Sequence, residues 1–138
     1  MGTEIREGQE LSPLVRGVTQ EKVNLYAHAS GDYNPIHIDE SFAAQTPLGG
    51  TIAHGMLVLA YISEMLSLNF GQAWSRSGKL SARFKAPARP GDTLTVSGRI
   101  DSVQGGQAGP NVGCSLECRN HKGEAVVTAE ATVQPDWD

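Results

Sequence analysis

The second half of the chain alternates apolar and polar residues with a period of two. The alternation covers residues 80–86, 94–100, 112–118 and 127–133, and each stretch places its apolar side chains on one face. This period is typical of half-buried β-strands. Because short links join these consecutive stretches, we expect an antiparallel meander that is apolar on one face only.

The first half of the chain follows a helical pattern instead. Thr19 can cap a helix over residues 20–30, and Asp39 can cap a second, shorter helix through residues 41–44. A third helix is predicted over residues 54–69, where apolar side chains point in nearly every direction around the axis. Since such a helix avoids water on almost every side, we expect it to be buried almost all round.

A sheet with one apolar face and a helix that is apolar nearly all round can bury each other. The economical arrangement is a curved antiparallel sheet wrapped around the helix, with an early strand near residues 14–18 added to the sheet. This α+β architecture is the hot-dog fold, and the pattern alone predicts it. The 138 residues show no internal repeat and no long linker, so we expect one domain over residues 1–138.

The composition argues against several classes of protein. The formal net charge is −4, whereas nucleic-acid-binding proteins usually present a basic surface. The longest apolar run, residues 56–62, is shorter than the roughly 18–20 residues of a membrane span, so no membrane partner is expected. The first residues lack the pattern of a signal peptide, and we expect a cytoplasmic protein.

The two cysteines, Cys114 and Cys118, lie on the same predicted strand. Four residues of strand separate their Cα atoms by roughly 13 Å, and a disulfide requires them within roughly 7 Å. A metal pair would need further cysteine or histidine ligands nearby. We therefore expect two reduced thiols on the core face of the sheet.

A short irregular loop between the first two helices carries the side chains most suited to catalysis, Asp32, Asn34 and His37. Pro35 prevents a continuous helix here, because the residue before a proline favours an extended conformation. An imidazole and a carboxylate on one loop can contact the same water, and the imidazole can exchange a proton near neutral pH. The spacing fits a purely local arrangement as well, in which Asp32 caps a turn and His37 is a hydrogen-bonded loop residue.

The start of the third predicted helix, residues 53–56, is a second candidate element. The first N–H groups of a helix have no partner within it and lie at the positive end of its dipole. They can stabilise an oxygen that gains negative charge, such as a thioester carbonyl that becomes an enolate. Gly55 would let a substrate approach its N–H closely, although glycine is also common near a helix start for packing alone.

Several segments together resemble a known family. The sequence GDYNPIH at 31–37, with FAA at 42–44, resembles the signature of the MaoC-like, (R)-specific enoyl-CoA hydratase family. The HGM step at 54–56 and the stretch 79–92, with FKAP and PGD, are similar to the later segments of that family. The resemblance extends over nearly the whole chain, and its central motif is long.

This resemblance implies a hot-dog fold, a homodimer, and the reversible syn hydration of trans-2-enoyl-CoA to (R)-3-hydroxyacyl-CoA. Asp32 and His37 would hold and activate the water, and one of them would return a proton to the α-carbon. The N–H of Gly55 would polarise the thioester carbonyl, and Asn34 would fix the loop. Ser63 matches a position where the family often has a supporting serine, although a helical serine often bonds back to a carbonyl one turn earlier. No metal or cofactor is implied, because the thioester itself is the electron sink.

Two other functions remain open on sequence grounds. A hot-dog thioesterase would use an acid on the central helix or a nearby loop, and Glu64 or Asp32 could serve. A non-catalytic acyl-CoA-binding or dimerisation module would keep the fold without turnover. Arg83, Lys85 and Arg89 should share an outward edge, which is either a solvated strand face or a contact for CoA phosphates.

Overall fold

The computed structural model describes residues 5–105 and 109–135. Its strands are β1 (Leu14–Gly17), β2 (Lys79–Phe84), β3 (Thr93–Gln104), β4 (Asn111–Arg119) and β5 (Ala125–Val133). Its helices are α1 (Gln20–Ser30), α2 (Pro35–Ile38), α3 (Glu40–Ala44), α4 (Gly55–Phe70) and α5 (Gln72–Ser77). All of these strands form one antiparallel sheet in the order β1-β3-β4-β5-β2.

The sheet confirms the predicted meander for β3, β4 and β5 and contradicts it for β2. Strand β2 pairs with β5 in a register that places Phe84 opposite Val127, so it forms the edge farthest from β1. The link from β2 to β3 passes the start of α4, where the carbonyl of Ala88 accepts the N–H of Ala53 at 2.7 Å. Because this link carries the chain past β5 and β4 instead of turning back beside β2, β2 and β3 are not neighbours.

Helix α4 packs against the apolar face of the sheet, in the predicted hot-dog arrangement. Its buried side chains join those of the inward-facing strand positions in one core, and they are Leu57, Val58, Ile62, Met65 and Leu66. The prediction that this helix is buried almost all round is wrong on one side, since Met56 is 58% and Leu68 is 68% exposed. A sheet can cover only the helix faces towards which it curves, and one side of α4 is left open in a single chain.

The starts of helices α1 and α3 confirm the predicted caps at Thr19 and Asp39. Thr19 Oγ1 accepts the N–H of Lys22 at 3.1 Å at the start of α1. Gly31 ends that helix with φ of +79°, a conformation that glycine adopts without steric cost. Asp39 Oδ1 accepts the N–H of Phe42 at 3.1 Å and so caps α3.

Helices α2 and α5 were not predicted. Residues 35–38 are one helical turn instead of irregular loop, because the fixed φ of Pro35 suits the first helical position and Asn34 Oδ1 accepts the N–H of Ile36 at 3.1 Å. Helix α5 begins immediately after Gly71, which ends α4. It is too short for its apolar period to be recognised in the sequence, and it places the buried ring of Trp74 against the core.

The remaining expectations about the core concern the cysteines and the membrane. Cys114 and Cys118 are free and buried on the inner face of β4, as predicted. Burial raises the pKa of each thiol to about 11, because a thiolate is poorly solvated there. Within 5–105 and 109–135, none of the helices combines the length and apolar character needed to cross a bilayer.

Candidate active site

The loop that precedes α2 brings the predicted carboxylate and imidazole together. Asp32 Oδ2 lies 4.0 Å from His37 Nε2. Asp32 Oδ1 accepts the N–H of Asn34 at 3.1 Å, and Asn34 in turn caps α2. The local turn and the predicted approach of the carboxylate to the imidazole therefore occur together, since one carboxylate oxygen orders the loop while the other faces the ring.

The environment of His37 decides which of its ring nitrogens faces Asp32 as an acceptor. His37 Nδ1 lies 2.8 Å from the main-chain carbonyl of Ile52. A carbonyl can only accept, so Nδ1 carries the hydrogen, and Nε2 of the neutral ring keeps its lone pair. His37 is 7% exposed, whereas the Asp32 side chain is 53% exposed. The Nε2–Oδ2 distance of 4.0 Å exceeds a direct hydrogen bond and allows both groups to contact one water.

His54 touches both of these residues. Its ring stacks on His37 with a centroid separation of 3.9 Å, and its Nε2 donates to the main-chain carbonyl of Asp32 at 3.0 Å. The residue is 2% exposed and also contacts the ring of Tyr26 at 4.9 Å. The contacts of His54 with the loop arise from the fold, and no spacing in the chain signals them.

Asp32, His37 and His54 also place one potential metal-ligand atom each within 4.8 Å of the others. Their geometry does not suit a single ion, because the two imidazole planes are inclined by only 26°. A nitrogen lone pair lies in the plane of its ring, and stacked rings direct these lone pairs side by side instead of towards one point about 2 Å away. His54 Nε2 is moreover used on the carbonyl of Asp32, so of its two ring nitrogens only the buried Nδ1, which has no hydrogen-bond partner among the described residues, could face an ion. The expected absence of a metal stays a prediction.

Gly55 is the first residue of α4 and lines a groove of about 390 Å³. The groove is mainly apolar, and its lining includes Ile52, Val58, Phe84, Lys85 and Val126. It adjoins the loop of Asp32 and His37 through Ile52, whose carbonyl accepts a hydrogen bond from the His37 ring. A Cβ atom at position 55 would lie 3.1 Å from the ring of Phe84, so the absent side chain leaves room in the groove.

The structure places Ser63 and Glu64 in contacts that the sequence did not indicate. Ser63 Oγ accepts a hydrogen bond from Trp74 Nε1 at 2.9 Å, and the expected bond to a carbonyl one turn earlier is not among the contacts of the described residues. Its role in catalysis stays a prediction. Glu64 pairs with Arg16 through both carboxylate oxygens, at 2.6 and 3.3 Å, and thereby ties α4 to β1.

The three basic residues near β2 do not share an edge, which corrects the sequence expectation. Arg83 lies on the outer face of the sheet, in a shallow pocket that Glu130 also lines. Lys85 comes just after the end of the strand and lines the groove beside Gly55. Arg89 lies in the crossing link, near the Gly50 backbone. The turn away from strand geometry after Phe84 separates them.

Comparison with known proteins agrees with this geometry. The family model described as MaoC like domain matches residues 4–118. The chain belongs to the MaoC-like domain family. This confirms the resemblance seen in the sequence, and the match covers the loop of Asp32 and His37, the start of α4 and most of the sheet of this MaoC-like domain.

Two curated relatives of this MaoC-like domain carry related names. An (R)-specific enoyl-CoA hydratase of Rhodospirillum rubrum is 37% identical over 94 residues, which are 68% of this chain and 65% of the relative. A 3-hydroxybutyryl-CoA dehydratase of Methylorubrum extorquens is 30% identical over 121 residues, covering 88% of this chain and 75% of the relative. The chain thus spans somewhat less than two thirds of the Rhodospirillum protein.

Solved structures of R-hydratases have the same fold as this chain. An R-hydratase of Pseudomonas aeruginosa in the unliganded form superposes with a TM-score of 0.83 at 28% identity, covering 97% of this chain and 84% of that one. The (R)-hydratase of Aeromonas caviae gives 0.82 at 27% identity, covering 98% and 100%. The predicted hot-dog fold is confirmed.

Proposed function

We propose that this MaoC-like domain catalyses the reversible (R)-specific hydration of trans-2-enoyl-CoA to (R)-3-hydroxyacyl-CoA. The observation that carries the proposal is the pair of Asp32 Oδ2 and His37 Nε2, 4.0 Å apart, with the Nε2 lone pair available. The names of the relatives from Rhodospirillum rubrum and Methylorubrum extorquens support it, since both describe the same reaction read in opposite directions.

In the proposed reaction, one water bridges the carboxylate of Asp32 and Nε2 of His37. The water oxygen attacks C3 of the enoyl thioester, and its proton passes to one of these two bases. The electron pair of the double bond moves towards the thioester carbonyl. The Asp32–His37 pair then returns a proton to C2 on the same face, so that H and OH add syn and the pair regains its starting state.

The carbonyl oxygen of the thioester gains negative charge during this step. The N–H of Gly55 at the start of α4 would donate to it, and the positive end of the helix dipole adds to the stabilisation. The apolar lining of the groove suits the acyl portion of the substrate, and Lys85, which also lines the groove, would meet a phosphate of CoA. The thioester serves as the electron sink, so the reaction as proposed needs no cofactor.

We also propose that the domain acts as a homodimer in the cytoplasm. Met56 and Leu68 leave apolar surface open on α4, and Phe84 is 55% exposed beside the groove. A second copy could cover such side chains, whose burial against a partner is favourable. Sedimentation of the purified protein would test the assembly, with a monomer at micromolar concentration contradicting it.

The thioesterase alternative is less compatible with the contacts of its candidate acids. Glu64 is held by Arg16 in two hydrogen bonds, so its carboxylate is not free to act on a thioester. Asp32 faces His37, an arrangement that serves proton transfer with water. The binding-module alternative would not require this pair, and both members of it are present.

The decisive experiment is a panel of enoyl-CoA substrates monitored by the loss of enoyl-thioester absorbance, with chiral analysis of the product. We expect turnover of crotonyl-CoA or a longer enoyl-CoA and an (R) product. Asp32→Asn and His37→Gln should each reduce kcat by roughly 10²–10⁴-fold, as expected for loss of general acid–base catalysis.

Glu64→Gln is the matched control, because it also neutralises an acid near the helix and lies outside the proposed site. It should retain hydration. Release of free CoA from acyl-CoA without hydration would favour the thioesterase, and acyl-CoA binding without either reaction would favour the module.

A further inference from the structure

His37 is held by two segments that are far apart in sequence, one through its ring and the other through its main chain. Its Nδ1 donates to the carbonyl of Ile52 at 2.8 Å, and its own main-chain carbonyl accepts a hydrogen bond from Gln20 Nε2 at 2.7 Å. The direction of Nε2 therefore depends on how the α2 turn and residues 51–52 are placed relative to each other.

The side-chain amide of Gln20 links these two segments. Gln20 Oε1 lies 2.7 Å from the hydroxyl of Thr51, which precedes Ile52 and is 4% exposed. The carbonyl of His37 can only accept, so Nε2 of the amide faces it and Oε1 faces the hydroxyl, which donates. The contacts form a closed circuit that runs from Gln20 to His37, on to Ile52 and Thr51, and back to Gln20.

Helix α3 also contacts this circuit, through the carboxylate of Glu40 and Thr51. Glu40 Oε2 accepts the main-chain N–H of Thr51 at 3.1 Å and lies 2.9 Å from its hydroxyl oxygen. The single hydroxyl proton of Thr51 is thus shared between the Gln20 and Glu40 acceptors. Residues 51–52 are thereby fixed to both α1 and α3, and the carbonyl that binds the imidazole is fixed with them.

We propose that Gln20 and Thr51 are positioning residues for His37, acting through its main-chain carbonyl and through the segment that supplies its Nδ1 partner. This proposal rests on the proposed function, in which His37 Nε2 exchanges a proton with water. Neither residue touches the reacting atoms. Their effect is on geometry, and a displacement of about 1 Å in a catalytic group can reduce the rate about 100-fold.

Isosteric substitutions test the circuit. Gln20→Glu replaces the donor that faces the carbonyl of His37 with an oxygen, and Thr51→Val removes the hydroxyl while keeping the shape. Each should lower kcat by roughly 10- to 100-fold with KM within about twofold, whereas Thr51→Ser should recover most of the kcat that Thr51→Val loses. Asn24→Ala is the control: Asn24 Oδ1 accepts from the same Gln20 amide at 2.9 Å and makes no hydrogen bond to His37 among the described residues.

A second readout does not depend on activity. Imidazole ¹⁵N spectra of the wild type should show His37 as one neutral tautomer with hydrogen on Nδ1, and Gln20→Glu and Thr51→Val should shift that signal or mix the tautomers. Thermal melting checks that each variant folds. A wild type that does not hydrate enoyl-CoA would refute the proposed function and leave the spectra to decide the positioning role. Unchanged spectra in both variants, or unchanged kcat in an active protein, would overturn the positioning role itself.

Discussion

Replacement of Gly55 by alanine should separate stability from activity. The added Cβ would lie 3.1 to 3.5 Å from three atoms of the Phe84 ring. That ring is 55% exposed, so it can rotate away at little cost. Alanine is favoured over glycine in a helix by up to about 1 kcal/mol, which offsets the contact. We therefore expect Tm to change by no more than about 4 °C.

The same substitution should reduce kcat/KM strongly. The methyl group and the displaced ring of Phe84 would occupy the part of the groove through which, in the proposed reaction, a thioester would reach the Gly55 N–H. Loss of one oxyanion donor typically costs about 10²–10³ in rate, or roughly 3–4 kcal/mol of transition-state stabilisation. The assay pairs thermal melting with crotonyl-CoA hydration on the same preparations.

Two further variants show where the loss originates. Gly17→Ala is a matched control, because a Cβ there would have no heavy atom within 4 Å and the residue lies in β1, outside the groove. The double variant Gly55→Ala/Phe84→Leu should remain impaired if the methyl itself blocks the N–H. Wild-type kcat/KM in folded Gly55→Ala would refute the assignment of this N–H to the oxyanion.

The other predictions concern His54 and the cysteines. His54→Gln places an amide nitrogen near the position of Nε2, whereas His54→Asn places it near the position of Nδ1. Only Nε2 reaches the carbonyl of Asp32, so the kcat of the Gln variant should be about fivefold higher than that of the Asn variant. This ratio corresponds to a hydrogen bond worth about 1 kcal/mol. Equal kcat values for the two variants would contradict the view that this hydrogen bond holds the loop of Asp32 in place for the reaction. Cys114 and Cys118 should resist thiol reagents at pH 8 until the protein unfolds, because burial raises each thiol pKa to about 11. The folded protein favours the neutral form of both thiols. Below the usual thiol pKa of 9.0 the thiols are neutral in the folded and the unfolded chain, so the full stability of the fold is retained there. The free energy of unfolding should then fall as pH rises from there towards 11, and a constant value across that range in urea titrations would contradict the prediction.

Much of the fold could be predicted from local patterning. The period of two located β3, β4 and β5, and the side chains of Thr19 and Asp39 marked the helix starts where the structure has them. These signals are local, because a strand or a capped helix is decided by residues close together in the chain. The position of β2 was missed, since the choice between two possible neighbours depends on the path of the link after it, which no local pattern encodes.

In the candidate site, too, some features were recognisable in the sequence and others only in the folded structure. The motif around Asp32 and His37 was recognisable in the sequence, because its residues lie close together in the chain and their spacing is a local property. The stack of His54 on His37 and the contacts of Gln20 and Thr51 were not recognisable, because they join segments that only the folded chain brings together. The sequence by itself determined most of the elements, the family and the candidate pair of Asp32 and His37. The tertiary structure decided which nitrogen of His37 faces Asp32, because the carbonyl of Ile52, distant in the chain, holds the other one.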